Sequence, residues 1–181
     1  MALREILQLG NPLLREPCEY VLDPTAPEIK RIAADLADTV AHSYRTTGYG
    51  RAIAAPQIGE MVRMVHLSVP EPMVLVNPEI VERSPETMIV WDACLSFLCI
   101  FMQVERHKTI VVRYQDLEGK SHELQAGAEN DLSELLQHEI DHLSGILAID
   151  RVIDPKTICT REEFERRYQH ESPYAAAEVT L

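Results

Sequence analysis

Residues 137–145 read Gln-His-Glu-Ile-Asp-His-Leu-Ser-Gly, so His138 and His142 stand four positions apart with Glu139 directly after the first. Residues four apart share one face of an α-helix, so both imidazoles can meet a single ion. Glu139 then lies beside that ion without having to bind it, placed to take a proton from water. A bare pattern of this form also fits a structural metal site or two unrelated surface histidines. Its setting favours a buried site. Leu132, Leu135, Leu136, Ile140 and Leu143 give a helix from about Asn130 or Asp131 to Leu143 an apolar face, with Gly145 just past its end. Polar groups embedded in such a helix need partners. Asp141, between the histidines, is either a solvated carboxylate or a support for a ligand.

A catalytic zinc-type site takes three protein ligands and keeps a position open. The extended metzincin motif would put its last histidine at position 148; Gly145 fits that motif, but the chain has Ala148. A gluzincin would use a downstream glutamate, and Glu162 or Glu163 could be offered. Pro155 and the capping-box form of Thr160-Arg161-Glu162-Glu163 instead mark that segment as an independent helix. The third candidate is Cys94, within Asp92-Ala93-Cys94-Leu95-Ser96. A cysteine beside strand residues is, by itself, more often a small buried hydrophobe.

Elsewhere the pattern is mixed. Ile29, Ile32, Ala33, Leu36 and Val40 recur at helical spacing over residues 27–45, with Thr25 as a possible cap and Gly48 at the end. Short runs rich in Val, Ile and Met at 62–68, 73–76, 88–91 and 109–115 read as strands punctuated by Pro and Gly. Asp116-Leu117-Glu118-Gly119 reads as the turn of a hairpin into 121–125. Helix, mixed strands, then helices predicts an α+β domain.

At 181 residues one catalytic domain is expected over 1–170, with a weakly patterned and mobile tail at 171–181. No apolar run approaches the roughly 20 residues that span a bilayer, and the N-terminus has no apolar signal core. The expected location is therefore the cytoplasm, with no membrane partner. A net charge of −12 argues against a broad phosphate-binding surface, so no nucleic-acid partner is expected. Cys18, Cys94, Cys99 and Cys159 are too scattered for a disulfide framework and are read as reduced thiols.

Three segments in order carry a family resemblance: Gly50-Arg51-Ala52-Ile53-Ala54-Ala55-Pro56-Gln57, Asp92-Ala93-Cys94-Leu95-Ser96, and His138-Glu139-Ile140-Asp141-His142. With the flanks ILQLGNPLLR (6–15) and LSGILAIDRVI (143–153), they resemble the GxGLAAPQ, EGCLS and HExDH pattern of peptide deformylases. The similarity spans about residues 6 to 154.

The resemblance implies a fold of mostly antiparallel strands around a central HExxH helix, with an N-terminal and a C-terminal helix. It makes Cys94 the third ligand beside His138 and His142, for one divalent metal that is natively Fe(II), with Zn, Ni or Co accepted. It implies that water acidified by this metal attacks the formyl carbon of an N-formylmethionyl peptide and releases formate. The Gln57 amide and the Leu95 backbone N–H would meet the oxyanion, and Glu139 would move the proton. Arg106 would support the acidic residue at Asp92.

The chain also departs from the pattern. Ala52 replaces the second glycine, putting a methyl where the backbone is to approach substrate. Asp92-Ala93 replaces Glu-Gly, Leu98 replaces a frequent proline, and Phe101 stands where many bacterial members have a substrate-contacting arginine. The resemblance assigns substrate binding to Gly50, Arg51, Ala52, Asp131, Glu134 and Leu135, and three of these are charged. Either the charges point to solvent, or Arg51 pairs with an acid at the rim, or the preferred substrate differs. The last option makes the chain a related metalloamidase or peptidase acting on another N-formyl or N-acyl substrate. Ribosome contact, which the resemblance associates with a basic C-terminal helix, stays open but gains no support from the tail: residues 160–181 hold Arg161, Arg166 and Arg167 against five glutamates.

Overall fold

The computed structural model describes residues 3–128 and 131–171. Asn130 and, beyond Glu171, the tail expected to be mobile lie outside the described residues.

The predicted first helix is α1, Pro27–Thr47, with Ile29, Ile32, Ala33, Leu36 and Val40 buried along one stripe. Pro27 starts it, where its missing N–H is no loss. Thr25 does not cap it; its N–H and hydroxyl both donate to Asp23 Oδ1, and the cap position falls to Ala26. Gly48 ends the helix in the left-handed region, φ 78°.

Among the described residues eight strands follow, all paired antiparallel. They are β1 (Ala52–Ala54), β2 (Met64–Leu67), β3 (Met73–Arg83), β4 (Thr87–Asp92), β5 (Ile100–His107), β6 (Ile110–Gln115), β7 (Ser121–Ala126) and β8 (Cys159–Thr160). One sheet runs β1-β2-β3-β6-β7 and the other β4-β5-β8. The hairpin turn at Asp116 forms as predicted: its Oδ1 accepts from Glu118 and Lys120 N–H, and Gly119 N–H donates back to its carbonyl.

Helix α2, Leu132–His142, packs against β1, β3 and β7 of the first sheet and β5 of the second. Its apolar residues Leu132, Leu135, Leu136 and Ile140 join Ala52, Ala54, Val65, Leu75 and Val112 in one core cluster. Beyond it Gly145 adopts φ +70°, and a Cβ there would sit 2.4 Å from the Arg15 carbonyl oxygen. Helix α3, Arg161–Arg167, is capped as predicted by Thr160, whose hydroxyl accepts from Glu163 N–H. It is seated by an aromatic cluster: Phe164 stacks on Phe101 at 4.0 Å between centroids and tilts against Trp91, which Tyr168 covers. The result is the α+β arrangement expected, with α2 touching both sheets.

Candidate metal centre

Both imidazoles come from α2, and the third donor comes from the other sheet. Cys94 lies just past the end of β4, heading a short 3-10 turn at Leu95–Phe97. Its Sγ is 3.2 Å from His142 Nε2, which is 3.2 Å from His138 Nε2. These three donor atoms all lie within 4.8 Å of one another, and all three residues are buried. One thiolate and two imidazoles facing each other in a buried place form a chemically sound ligand set for a divalent transition metal. The gluzincin alternative has no such geometry: Glu163 is engaged by Arg166 and Arg167 on exposed α3, and neither it nor Glu162 joins the cluster.

The support behind the donors is continuous. His138 Nδ1 lies 2.8 Å from Asp92 Oδ1, and an imidazole donating there leaves its Nε2 lone pair turned to the cluster. Asp92 Oδ2 accepts from Arg106, whose other Nη donates to Asp141, and Arg151 closes on Asp141 from outside. Burial opposes ionisation of Asp92, but His138 and Arg106 outweigh it and hold the carboxyl below its usual range. Asp141 is thus neither free in solvent nor in contact with a donor; it anchors Arg106.

Glu139 is 3% exposed and its Oε2 has no hydrogen-bond partner among the described residues. Burial pushes its carboxyl up to about 7, against the opposing pull of His138. An uncompensated buried carboxylate oxygen beside a ligand set is the arrangement expected of a group that exchanges protons with a ligand.

Gln57 reaches the same place from the first sheet. Its Oε1 accepts Ala54 N–H, which turns the amide NH2 toward Cys94 Sγ at 3.4 Å and Ser96 Oγ at 3.2 Å. Leu95 N–H, first in its turn, donates to no group among the described residues. Ser96, fully buried, was not singled out from the sequence, although it sits within the cysteine segment. Nor was the bracing by the N-terminal strand-like segment: Leu7 N–H donates to the Gln57 carbonyl and Leu9 N–H to that of Ser96. That segment ties the glutamine and cysteine loops together.

The residues assigned to substrate binding divide. Arg51 Nη2 meets Glu134 Oε1 at 2.5 Å, so the pairing expected as one option forms. Asp131 occupies the cap position of α2 at φ 55°, without a side-chain cap bond. Ala52 and Leu135 are buried in the core cluster, and the added methyl of Ala52 packs there. Gly50 (φ +143°) lies against α1, where a Cβ would meet the Val40 carbonyl oxygen at 2.8 Å. Phe101, at the arginine position, is 1% exposed under α3.

Known proteins are similar to this chain over most of its length. The family model described as polypeptide deformylase matches residues 3–157. A peptide deformylase of Desulforudis audaxviator is 40% identical over 90% of this chain and 100% of its own length. One from Bartonella quintana is 37% identical over 97% of this chain and 99% of its own. Among solved structures, the peptide deformylase from Thermotoga maritima superposes with a TM-score of 0.78 at 33% identity, covering 85% of this chain and 100% of that one. The family match takes in all three motif segments, strands β1 to β7 and the HExxH helix, and on that footing the chain belongs to the polypeptide deformylase family.

Proposed function

We propose that Cys94, His138 and His142 hold one divalent metal ion and that Glu139, Gln57 and the Leu95 N–H carry out the chemistry around it. The reaction is the hydrolytic removal of the formyl group from the N-terminus of a formyl-methionyl peptide. The observation that carries the residue assignments is the convergence of three buried donor atoms beside a carboxylate oxygen with no partner among the described residues. When bound, the metal supplies a Lewis acid. Fe(II) is the proposed native ion, and Zn, Ni and Co suit the same donors.

The protein's own groups complete the reaction. Water oxygen bonds to the formyl carbon while Glu139 Oε2 takes the proton released. The carbonyl oxygen, gaining negative charge, is met by the Gln57 Nε2 amide and the Leu95 N–H. Glu139 returns the proton to the amine nitrogen as the C–N bond breaks, leaving formate and a free N-terminus. The amide is already aimed because Ala54 N–H holds its oxygen.

Two variants test the assignments. Glu139→Gln should retain stoichiometric metal and lose about 10²–10⁴ of turnover on formyl-Met-Ala. Wild-type rates in that variant would remove Glu139 from the mechanism. Cys94→Ala should abolish stoichiometric metal; full occupancy would assign the third ligand elsewhere.

A further inference from the structure

Gln57 and Ser96 are both buried and come from segments that follow β1 of one sheet and β4 of the other. They meet beside the donor cluster. The Gln57 amide oxygen accepts from Ala54 N–H at 2.9 Å, while Nε2 lies 3.2 Å from Ser96 Oγ and 3.4 Å from Cys94 Sγ. An amide nitrogen carries two N–H groups, so one is available to each of these acceptors.

The two contacts are not equivalent. A cysteine sulfur accepts weakly, and the amide must give that contact up to face the oxygen of a substrate carbonyl. The contact with Ser96 can be kept throughout. With Oε1 on Ala54 and one N–H on Ser96, the planar amide is fixed at both ends, and its second N–H has a single direction left.

Ser96 is anchored in turn. Its carbonyl accepts Leu9 N–H at 2.9 Å, its own N–H lies 3.5 Å from Cys94 Sγ, and Phe97 N–H closes the turn on the Cys94 carbonyl at 3.0 Å. Leu7 N–H holds the Gln57 carbonyl at 2.8 Å, so one segment fixes the backbone of both partners. A hydroxyl buried this deeply costs free energy unless it is bonded, and alanine would fill the same turn without that cost.

We propose that Ser96 is a positioning residue for the reaction: its hydroxyl oxygen takes one N–H of the Gln57 amide so that the other is presented to the oxyanion. It acts through Gln57 and has no contact with the reacting atoms. This rests on the deformylase reading of the site and adds to it a residue that aims the oxyanion donor.

The test measures kcat and KM on formyl-Met-Ala for metal-loaded wild type, Ser96→Ala, Gln57→Ala and the double variant. Ser96→Ala should lower kcat about tenfold and leave KM within about twofold, because the donor it aims acts on charge that develops in the transition state. In the Gln57→Ala background the same substitution should change kcat by less than about twofold, since the group it positions is gone. An equal loss in both backgrounds overturns the proposal, as does a wild-type kcat in Ser96→Ala. A second measurement reads the contact without turnover. In isotope-labelled, zinc-loaded protein the side-chain amide signals of Gln57 are recognised by their absence from Gln57→Ala. Their exchange with solvent should be slow in wild type and about tenfold or more faster in Ser96→Ala. Equal exchange in those two proteins overturns the proposal. No turnover of formyl-Met-Ala by metal-loaded wild type would instead reject the deformylase reading, and the exchange measurement would still decide whether Ser96 holds Gln57.

Discussion

Asp92 uses both of its oxygens inside the protein, one on His138 and the other on Arg106. The glutamate of the family pattern is a carbon longer, yet the shorter side chain still reaches both partners here. Arg106 is equally confined, 3% exposed and shared between Asp92 and Asp141. Removing one member of a buried ion pair leaves the other charge uncompensated, which costs about 3–5 kcal/mol. Arg106→Leu should therefore lower the unfolding free energy by about that amount in a urea titration. A loss below about 1 kcal/mol would show that Asp92 finds another partner. The residues of this site were unevenly legible in the sequence. His138, His142 and Glu139 follow from helical spacing, because the spacing is itself the geometry. Cys94, Gln57 and Arg106 come from distant segments that only the tertiary fold joins, so they entered through the family resemblance. Ser96 and the backbone bracing by Leu7 and Leu9 left no trace, since a buried hydroxyl and two main-chain N–H groups impose no pattern on side chains.

The ends of elements carry much of the positioning. Helix α2 must stop soon after His142 so that the chain can turn past Arg15, and Gly145 makes that turn at φ +70°. A Cβ there would incur about 1–2 kcal/mol for the left-handed backbone alone, and would also meet the Arg15 carbonyl oxygen at 2.4 Å. Gly145→Ala should thus reduce stability by at least that much, read from the urea midpoint. An unchanged midpoint would mean that the loop shifts without strain. The three helices were legible because each keeps a periodic apolar face or a capping signature over its length. The strands were less so. β1 and β8, at three and two residues, are too short to show alternation. β5 conceals its pattern because Met102, Val104 and Arg106 form its buried face, and the last is a charge that only its carboxylate partners make tolerable. The alternation of β3 is legible only to residue 76, since Pro78 and the register shifts beyond Val76 interrupt it.

At the scale of the whole molecule, acid should act partly through a histidine that is remote from the donor cluster in sequence. His66, on β2, is 6% exposed with Nδ1 unpartnered among the described residues, and burial holds its pKa below the ordinary 6.5. Between those two values the unfolded chain binds a proton that the folded chain refuses. This contribution to stability is therefore fully present above about pH 6.5 and declines as pH falls through it. His66→Leu should flatten the fall in unfolding free energy between about pH 6.5 and 5, compared with wild type in the same metal state. Identical slopes would show that the imidazole takes up its proton without unfolding. The aromatic joint under α3 has a consequence of a different kind. The chain has one tryptophan, Trp91, stacked on Tyr168 with its indole N–H donating to Glu171. Any near-ultraviolet or emission signal from an indole in this protein therefore originates at that joint. It reports how the last helix is seated on the strand that ends in Asp92, so optical unfolding curves follow that seam before they follow the centre of the molecule.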